Sequence, residues 1–265
     1  MKKILITGST DGIGKLAAIK LAQAGHEIYL HGRNPDKVEA LVAEIKSISS
    51  NEKIMGLIAD FSDLQAVRSM AAEVRSQLSE LDVLINNAGV FNSSAATNEQ
   101  GFDLRYVVNY FAPFVLTQEL LPLLKQASAP RLINLSSAAQ SPISYPTLLG
   151  EQKQSERSTY AQSKLAITMW SFHLAKTEPD LSVIAVNPGS LLNTKMVQEA
   201  FGQFWSSADK GGDILYDLAI DEKYQGISGQ YFDNDAGGFG KAHASAYNEE
   251  ELEKLMEITL QVLAQ

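Results

Sequence analysis

Cysteine is absent from this chain of 265 residues, so neither a disulfide nor a thiol nucleophile is available. Histidine is scarce. His26, His31, His173 and His243 show no metal-ligand spacing and read as surface or packing residues, so no metal is expected. Positive charge is in deficit: the net charge is −9 and no basic cluster occurs. That balance argues against nucleic acid as a partner and against an anionic membrane surface. Long apolar runs are missing too, none approaching the roughly 18 residues of a membrane span. Gly8, Asp11, Gly12 and Gly14 break the N-terminal apolar run too early for a signal peptide. A soluble, cytoplasmic chain with no membrane contact is the expectation, and a reducing compartment is compatible with it.

What is present is enough apolar residue, 45%, for one sizeable core, so residues 1–265 read as a single domain. Short apolar or β-branched runs (4–7, 27–31, 53–59, 82–86, 131–135, 182–186 and 230–232) read as strands. Between them, 13–24, 35–46, 64–78, 101–125 and 158–176 have helical periodicity or caps, and a last helix covers about 248–264. Pro35 after Asn34 suits a helix start, and Gly25 after Ala24 a helix end. This alternation predicts an α/β fold: a doubly wound parallel sheet of about seven strands with helices on both faces, in three layers. Two long irregular stretches, about 137–157 and 188–206, are candidate substrate-binding loops.

Thr7-Gly8-Ser9-Thr10-Asp11-Gly12-Ile13-Gly14 lies between the first predicted strand and helix. Gly8 permits a tight turn, Gly12 a close approach of backbone to a pyrophosphate, and Gly14 close packing of helix on strand. The helix N-terminus offers free N–H groups and a positive dipole end to phosphate. Ser9, Thr10, Asp11 and Ile13 share the turn and are candidate contacts with it. The spacing differs from the usual dinucleotide fingerprint, with three residues between the first two glycines. A P-loop is excluded because no Gly-Lys-Ser/Thr follows. At the end of the second strand, His31-Gly32-Arg33-Asn34 carries no carboxylate. A ribose 2′-phosphate would be repelled by an acid there and can pair with Arg33, so NADP(H) is expected in preference to NAD(H).

Tyr160 and Lys164 are four residues apart in a predicted helix and so share a face. A phenol titrates near 10 and is a poor acid or base at neutral pH. Moving it to about 7 requires about 4 kcal/mol. A cation about 4 Å away, at an effective dielectric of about 20, supplies about that much. Desolvation opposes the shift.

Over nearly its whole length the chain resembles the short-chain dehydrogenase/reductase family. The resemblance is carried by Thr7-Gly8-x3-Gly12-x-Gly14, Asp60, Asn86-Asn87-Ala88-Gly89, Asn109, Ser137, Tyr160-x3-Lys164 and Asn187-Pro188-Gly189. More narrowly it is similar to the branch of retinol dehydrogenases and NADP-dependent carbonyl reductases, through 97–103, 108–111, 131–137 and 228–232. The resemblance implies a Rossmann-type fold and hydride transfer between nicotinamide and a small-molecule carbonyl or alcohol. By it, Asp60, with Phe61 beside it, contacts the adenine, and Asn87, Ala88 and Gly89 line the cofactor. Pro188 and Gly189 shape the nicotinamide side, and Thr194 binds phosphate or carboxamide. Asn109 holds a relay water, Ser137 binds the substrate oxygen, Tyr160 is the acid/base, and Lys164 lowers its pKa and binds ribose. A homo-oligomer is a further implication. Asp60 or Ser62 is alternatively a helix N-cap.

Phe91, Gln140, Tyr145 and Leu191 are candidate substrate-wall residues, with Leu192, Met196, Phe201, Phe204 and Trp205 behind them. Two other readings share this fold: a non-enzymatic NADP-sensing or scaffold protein, and an NAD-linked alcohol dehydrogenase. The intact Asn109, Ser137, Tyr160 and Lys164 set weighs against the first, and Arg33 against the second.

Overall fold

Strand residues here are apolar on both faces. In β1 (Lys3–Ile6), Ile4 and Ile6 enter one core and Leu5 the other, and all three are fully buried. A sheet with two apolar faces needs cover on both sides, which parallel strands with helical crossovers provide. The computed structural model describes residues 1–264, without the side chain of Phe201, and shows that arrangement.

The strands that follow are β2 (Glu27–Gly32), β3 (Ile54–Ile58), β4 (Val83–Asn86), β5 (Arg131–Leu135), β6 (Ser182–Asn187), β7 (Gln230–Asp233) and β8 (Gly238–Gly240). Their order in the sheet is β3-β2-β1-β4-β5-β6-β7-β8, with β1 to β7 parallel and β8 antiparallel to β7. The sequence reading expected about seven. The eighth is a glycine-flanked triplet at the edge, with no apolar run to announce it.

The helices are α1 (Gly12–Gln23), α2 (Pro35–Ser49), α3 (Leu64–Gln77), α4 (Leu104–Leu124), α5 (Tyr145–Leu148), α6 (Glu156–Thr177), α7 (Lys195–Phe201), α8 (Asp209–Ile220) and α9 (Glu249–Leu263). On one face α1, α2 and α8 contribute Ala17, Leu21, Leu41, Ile45, Ile214 and Leu218 to the core. On the other, α3, α4, α6 and α9 contribute Met70, Tyr110, Leu120, Trp170 and Leu255. Asn34 caps α2 by accepting from the Lys37 N–H at 3.0 Å. α3 is capped by Asp63, not by Asp60 or Ser62.

α4 changes pitch partway, running as a π-helix over Val107–Phe111. Pro113 has no N–H to give the Asn109 carbonyl four residues back, and its ring crowds that carbonyl, so the turn widens there. α4 also corrects an expectation. An 18-residue window of its 21 residues has a mean hydropathy of 1.3, enough by length and composition for a membrane span. The ground given for excluding membrane contact therefore fails. In the fold 78% of that window is buried, and α4 serves as a core helix packed on α3 and α6.

The chain leaves β1 toward β2 and β3 on one side and continues through β4 to β7 on the other. The reversal between β1 and β4 opens a crevice at the carboxyl ends of the strands, where open α/β sheets bind ligands.

Candidate active site

The crevice is built from its floor. Thr7, fully buried at the end of β1, accepts through its Oγ1 from the N–H groups of Asn87 and Ala88, each at 3.0 Å. The Asn87 amide donates to the carbonyls of Thr7 and Gly8, both at 2.8 Å. These bonds weld the glycine turn to the segment after β4. A methyl on Gly8 (φ +63°) would stand 2.7 Å from Ala88 Cα, and one on Gly14 would stand 2.4 Å from Asn87 Nδ2. Gly8 and Gly14 thus let protein pack on protein. Gly12 differs: its φ is +56°, and a methyl there would meet only Thr194, at 3.5 Å. It is the position with room for a ligand, with Thr194 reaching toward it.

Other residues of the turn are committed within the protein. Asp11 is the N-cap of α1 and accepts from the Gly12 N–H at 2.7 Å. Ile13 packs in the core. Ser9 is fully buried, and its hydroxyl accepts from the His31 N–H at 2.9 Å. The side chains of Asp11, Ile13 and Ser9 thus serve the fold, which leaves the backbone N–H groups of Asp11 and Ile13 as their means of contact with a phosphate. Thr10 lies against Gly32, where a methyl would stand 2.5 Å from its Cγ2.

His31, set aside in the sequence as a surface or packing residue, is a buried junction. Its Nδ1 accepts from the Gly8 N–H at 3.1 Å, and its Nε2 lies 3.0 Å from the Ala59 carbonyl. A ring that accepts at Nδ1 and donates at Nε2 is neutral. Burial pushes its pKa down to about 4. Phe61 stacks on this ring, with centroids 4.1 Å apart, and is itself buried. Its side chain is a core contact. Asp60 is exposed beyond β3 and accepts from the Ser62 N–H at 2.9 Å. Arg33 is exposed at the end of β2 and makes no ion pair among the described residues.

The second half of the crevice carries the titratable groups. Lys164 is buried in α6, and its ammonium donates to the Leu135 carbonyl at 2.9 Å. Burial pushes its pKa down to about 8. Tyr160, one turn earlier, holds its ring centroid 5.6 Å from that ammonium and packs against Phe91 at 4.7 Å. Burial raises the phenol above its ordinary value, and a hydrogen bond with the Ser137 side chain lowers it in part. The expected depression by Lys164 is not met: its ammonium is drawn to Leu135, and burial dominates. Ser137 faces Tyr160, whereas Ser136 turns inward to the Lys164 carbonyl and the Thr168 hydroxyl.

Asn109 is buried in the π turn. Its amide accepts from the Val90 N–H at 2.8 Å and donates to the Val90 carbonyl and the Ser163 hydroxyl, both at 3.0 Å. Between these groups a methyl on Gly89 would sit 3.3 Å from Asn109 Oδ1 and 3.6 Å from Lys164 Nζ. Glycine therefore keeps the passage over Lys164 clear.

The 137–157 stretch reads differently in three dimensions. Gln140 donates to the Ser137 carbonyl at 2.9 Å and accepts from the His243 N–H at 3.1 Å. Tyr145 donates to the Glu251 carbonyl at 3.2 Å, and Leu148 is fully buried. The polar ends of Gln140 and Tyr145 bind the C-terminal segment. Leu192 likewise packs in the core, while Leu191 stays half-buried at a φ of +46°. Phe201 lies outside the described side chains. Thr194 caps α7. Pro188 and its neighbours Asn187 and Ser190 are held by residues that the sequence did not single out, Asp233, Asn234 and Asp235. Their only sequence signal was a run of acid and amide directly after a strand.

Comparison with known proteins agrees with this arrangement. A family profile described as short chain dehydrogenase matches residues 2–203. The chain is 32% identical over 243 residues to retinol dehydrogenase 12 of Mus musculus, covering 87% of this chain and 77% of that protein. Its fold superposes on a short chain dehydrogenase of Escherichia coli CFT073 complexed with NADPH, with a TM-score of 0.73 and 27% identity, covering 88% and 96% of the two chains. It also superposes on an uncharacterized protein of Mycobacterium paratuberculosis, with a TM-score of 0.80 and 24% identity over 99% and 93%. This chain accordingly belongs to the short-chain dehydrogenase family, in its retinol dehydrogenase-like branch.

Proposed function

We propose that this protein is an NADP(H)-dependent oxidoreductase that interconverts a small carbonyl compound and its alcohol, with Tyr160 as the acid/base. The observation carrying this reading is the convergence of Ser137, Tyr160 and Lys164 beside the open passage at Gly89.

The residues present fit a dinucleotide. Gly12 leaves ligand space at the N-terminus of α1, where N–H groups lack helical partners. Arg33 offers an exposed guanidinium for a 2′-phosphate, and Asp60 an exposed carboxylate near the adenine end. Asn87, Ala88, Gly89, Pro188, Gly189 and Thr194 line the remainder. When bound, the nicotinamide supplies or takes the hydride and, when oxidised, adds a positive charge to the site.

The chain's own groups handle the proton. Ser137 donates a hydrogen bond to the substrate oxygen and orients it, and Tyr160 passes its phenolic proton to that oxygen as charge develops. In the reductive direction the phenol is protonated at neutral pH, and the substrate oxygen becomes more basic than phenolate as hydride arrives, so the proton moves to it. In the oxidative direction phenolate is needed, and the Lys164 ammonium is the nearest group to favour it. Lys164, with a pKa of about 8, can also lose and regain a proton near neutrality. The Asn109 carbonyl, denied the N–H of Pro113, is the acceptor for a water that replenishes Lys164. Phe91 packs on the Tyr160 ring and keeps one side of it dry.

The protein is further read as cytoplasmic, with α4 a core helix and a net charge of −9 unsuited to an anionic bilayer. Tyr160→Phe keeps the ring and removes the proton. Turnover of aldehydes and ketones, followed as NADPH consumption, should fall at least 1,000-fold, on the order expected for a lost acid/base, while NADPH binding stays within about twofold. Retained turnover refutes the role.

A further inference from the structure

Three consecutive residues at the end of β7, Asp233 to Asp235, grip the turn at the end of β6. Asp233 accepts from the Asn187 amide at 2.9 Å. Asn234 donates through its amide to the carbonyls of Pro188 and Lys210, at 2.9 and 3.0 Å, and through its backbone N–H to Asn187 at 3.1 Å. Asp235 carries the densest set. Its carboxylate accepts from the Ser190 N–H at 2.9 and 3.1 Å, from the Ser190 hydroxyl at 2.5 Å and from the Asn187 amide at 2.9 Å. The Lys210 ammonium stands 3.7 Å away.

The turn so gripped is conformationally costly. Gly189 has a φ of +126° and Leu191 a φ of +46°, and Leu191 carries a side chain that disfavours that region. Ser190, which Asp235 holds by three bonds, lies between them. Such backbone persists only where its surroundings over-determine it. Beyond the turn, Thr194 reaches Gly12, so the position of the turn is transmitted to the phosphate end of the crevice.

We infer that Asp235 is a positioning residue: its carboxylate locks the Gly189–Leu191 turn in the shape that receives the nicotinamide half of the cofactor. The inference rests on the proposed dinucleotide site and goes beyond it, because it gives a role to Asp235, which is outside the residues proposed to hold the cofactor. Burial would raise its pKa, but the bonds from Ser190 and Asn187 and the charge of Lys210 hold it below the usual carboxylate range. The ionised, accepting form is thus the working form.

The position of the turn on the sheet makes the inference separable from a general loss of fold. Arg33 lies at the end of β2 and the turn at the end of β6, on opposite sides of the switch point. Adenosine 2′-phosphate, which has no nicotinamide or pyrophosphate, reaches only the Arg33 side. In calorimetric titrations, Asp235→Ala should weaken NADPH at least tenfold and leave adenosine 2′-phosphate within twofold of the parent protein. Ser190→Ala removes one donor and keeps the backbone, and should show the same pattern at about threefold. It also serves if Asp235→Ala does not fold. NADPH affinity unchanged in both variants, or equal loss for both ligands, overturns the inference. Failure of the parent protein to bind NADPH overturns the proposed function itself, and the inference with it.

Discussion

At the scale of single residues, Arg33 is the group whose role can be isolated most cleanly. It is exposed and makes no ion pair among the described residues, so its removal disturbs little else. A charge-assisted bond to a 2′-phosphate contributes about 1.5–3 kcal/mol. Arg33→Ala should therefore raise the KM for NADPH by about tenfold or more and leave that for NADH nearly unchanged. Equal effects on both cofactors in steady-state kinetics would remove Arg33 as the discriminating group. Its place could be read from the sequence because it follows a strand whose end was clear. Ser9 and Phe61 show the opposite. Each stands beside a motif residue, yet each turns inward onto His31, a contact made between segments 22 or more residues apart.

At the scale of elements, the packing of α1 against the loop after β4 sets the crevice. A methyl on Gly14 would press to 2.4 Å from Asn87 Nδ2 and 2.7 Å from the Gly8 carbonyl. Gly14→Ala should cost about 1–3 kcal/mol of stability through overpacking, measured by urea denaturation, and weaken NADPH binding as Asn87 shifts. Gly238→Ala, where a methyl meets nothing within 4 Å, is the control. Glycine also explains the long helix that the sequence did not announce. The first turn of α8 contains Gly211 and Gly212, poor helix formers. Both are needed: methyls there would stand 2.6 Å from Ile13 and 2.7 Å from Leu16 of α1. Helical periodicity is visible where propensity and packing agree, and hidden where close packing demands a residue the helix itself disfavours.

At the scale of the molecule, His31 joins the ends of β1, β2 and β3 while neutral. Its pKa is about 4 in the fold against 6.5 for a free imidazole. Between those values the unfolded chain binds a proton that the folded chain refuses, so stability rises with pH across that window and is lost as pH falls toward 4. The shift corresponds to about 3 kcal/mol. Denaturant midpoints from pH 7 to pH 4 should therefore fall less steeply for His31→Gln than for the parent protein. Parallel profiles would show that another group dominates the acid response.

The alternation of strands and helices, the glycine turn before the first helix and the Tyr160–Lys164 spacing all follow from the sequence alone. Each is local: apolar runs have a length, a left-handed turn needs glycine, and four residues make one helical turn. Only the tertiary structure decided the rest. It turned Ser137 and not Ser136 toward Tyr160, buried His31 as a junction, committed Gln140 and Tyr145 to the C-terminal segment and laid Asp235 across the Gly189–Leu191 turn. Those choices depend on contacts between segments as many as 106 residues apart. Side-chain direction is settled by which neighbours the fold brings close, and no local pattern encodes that.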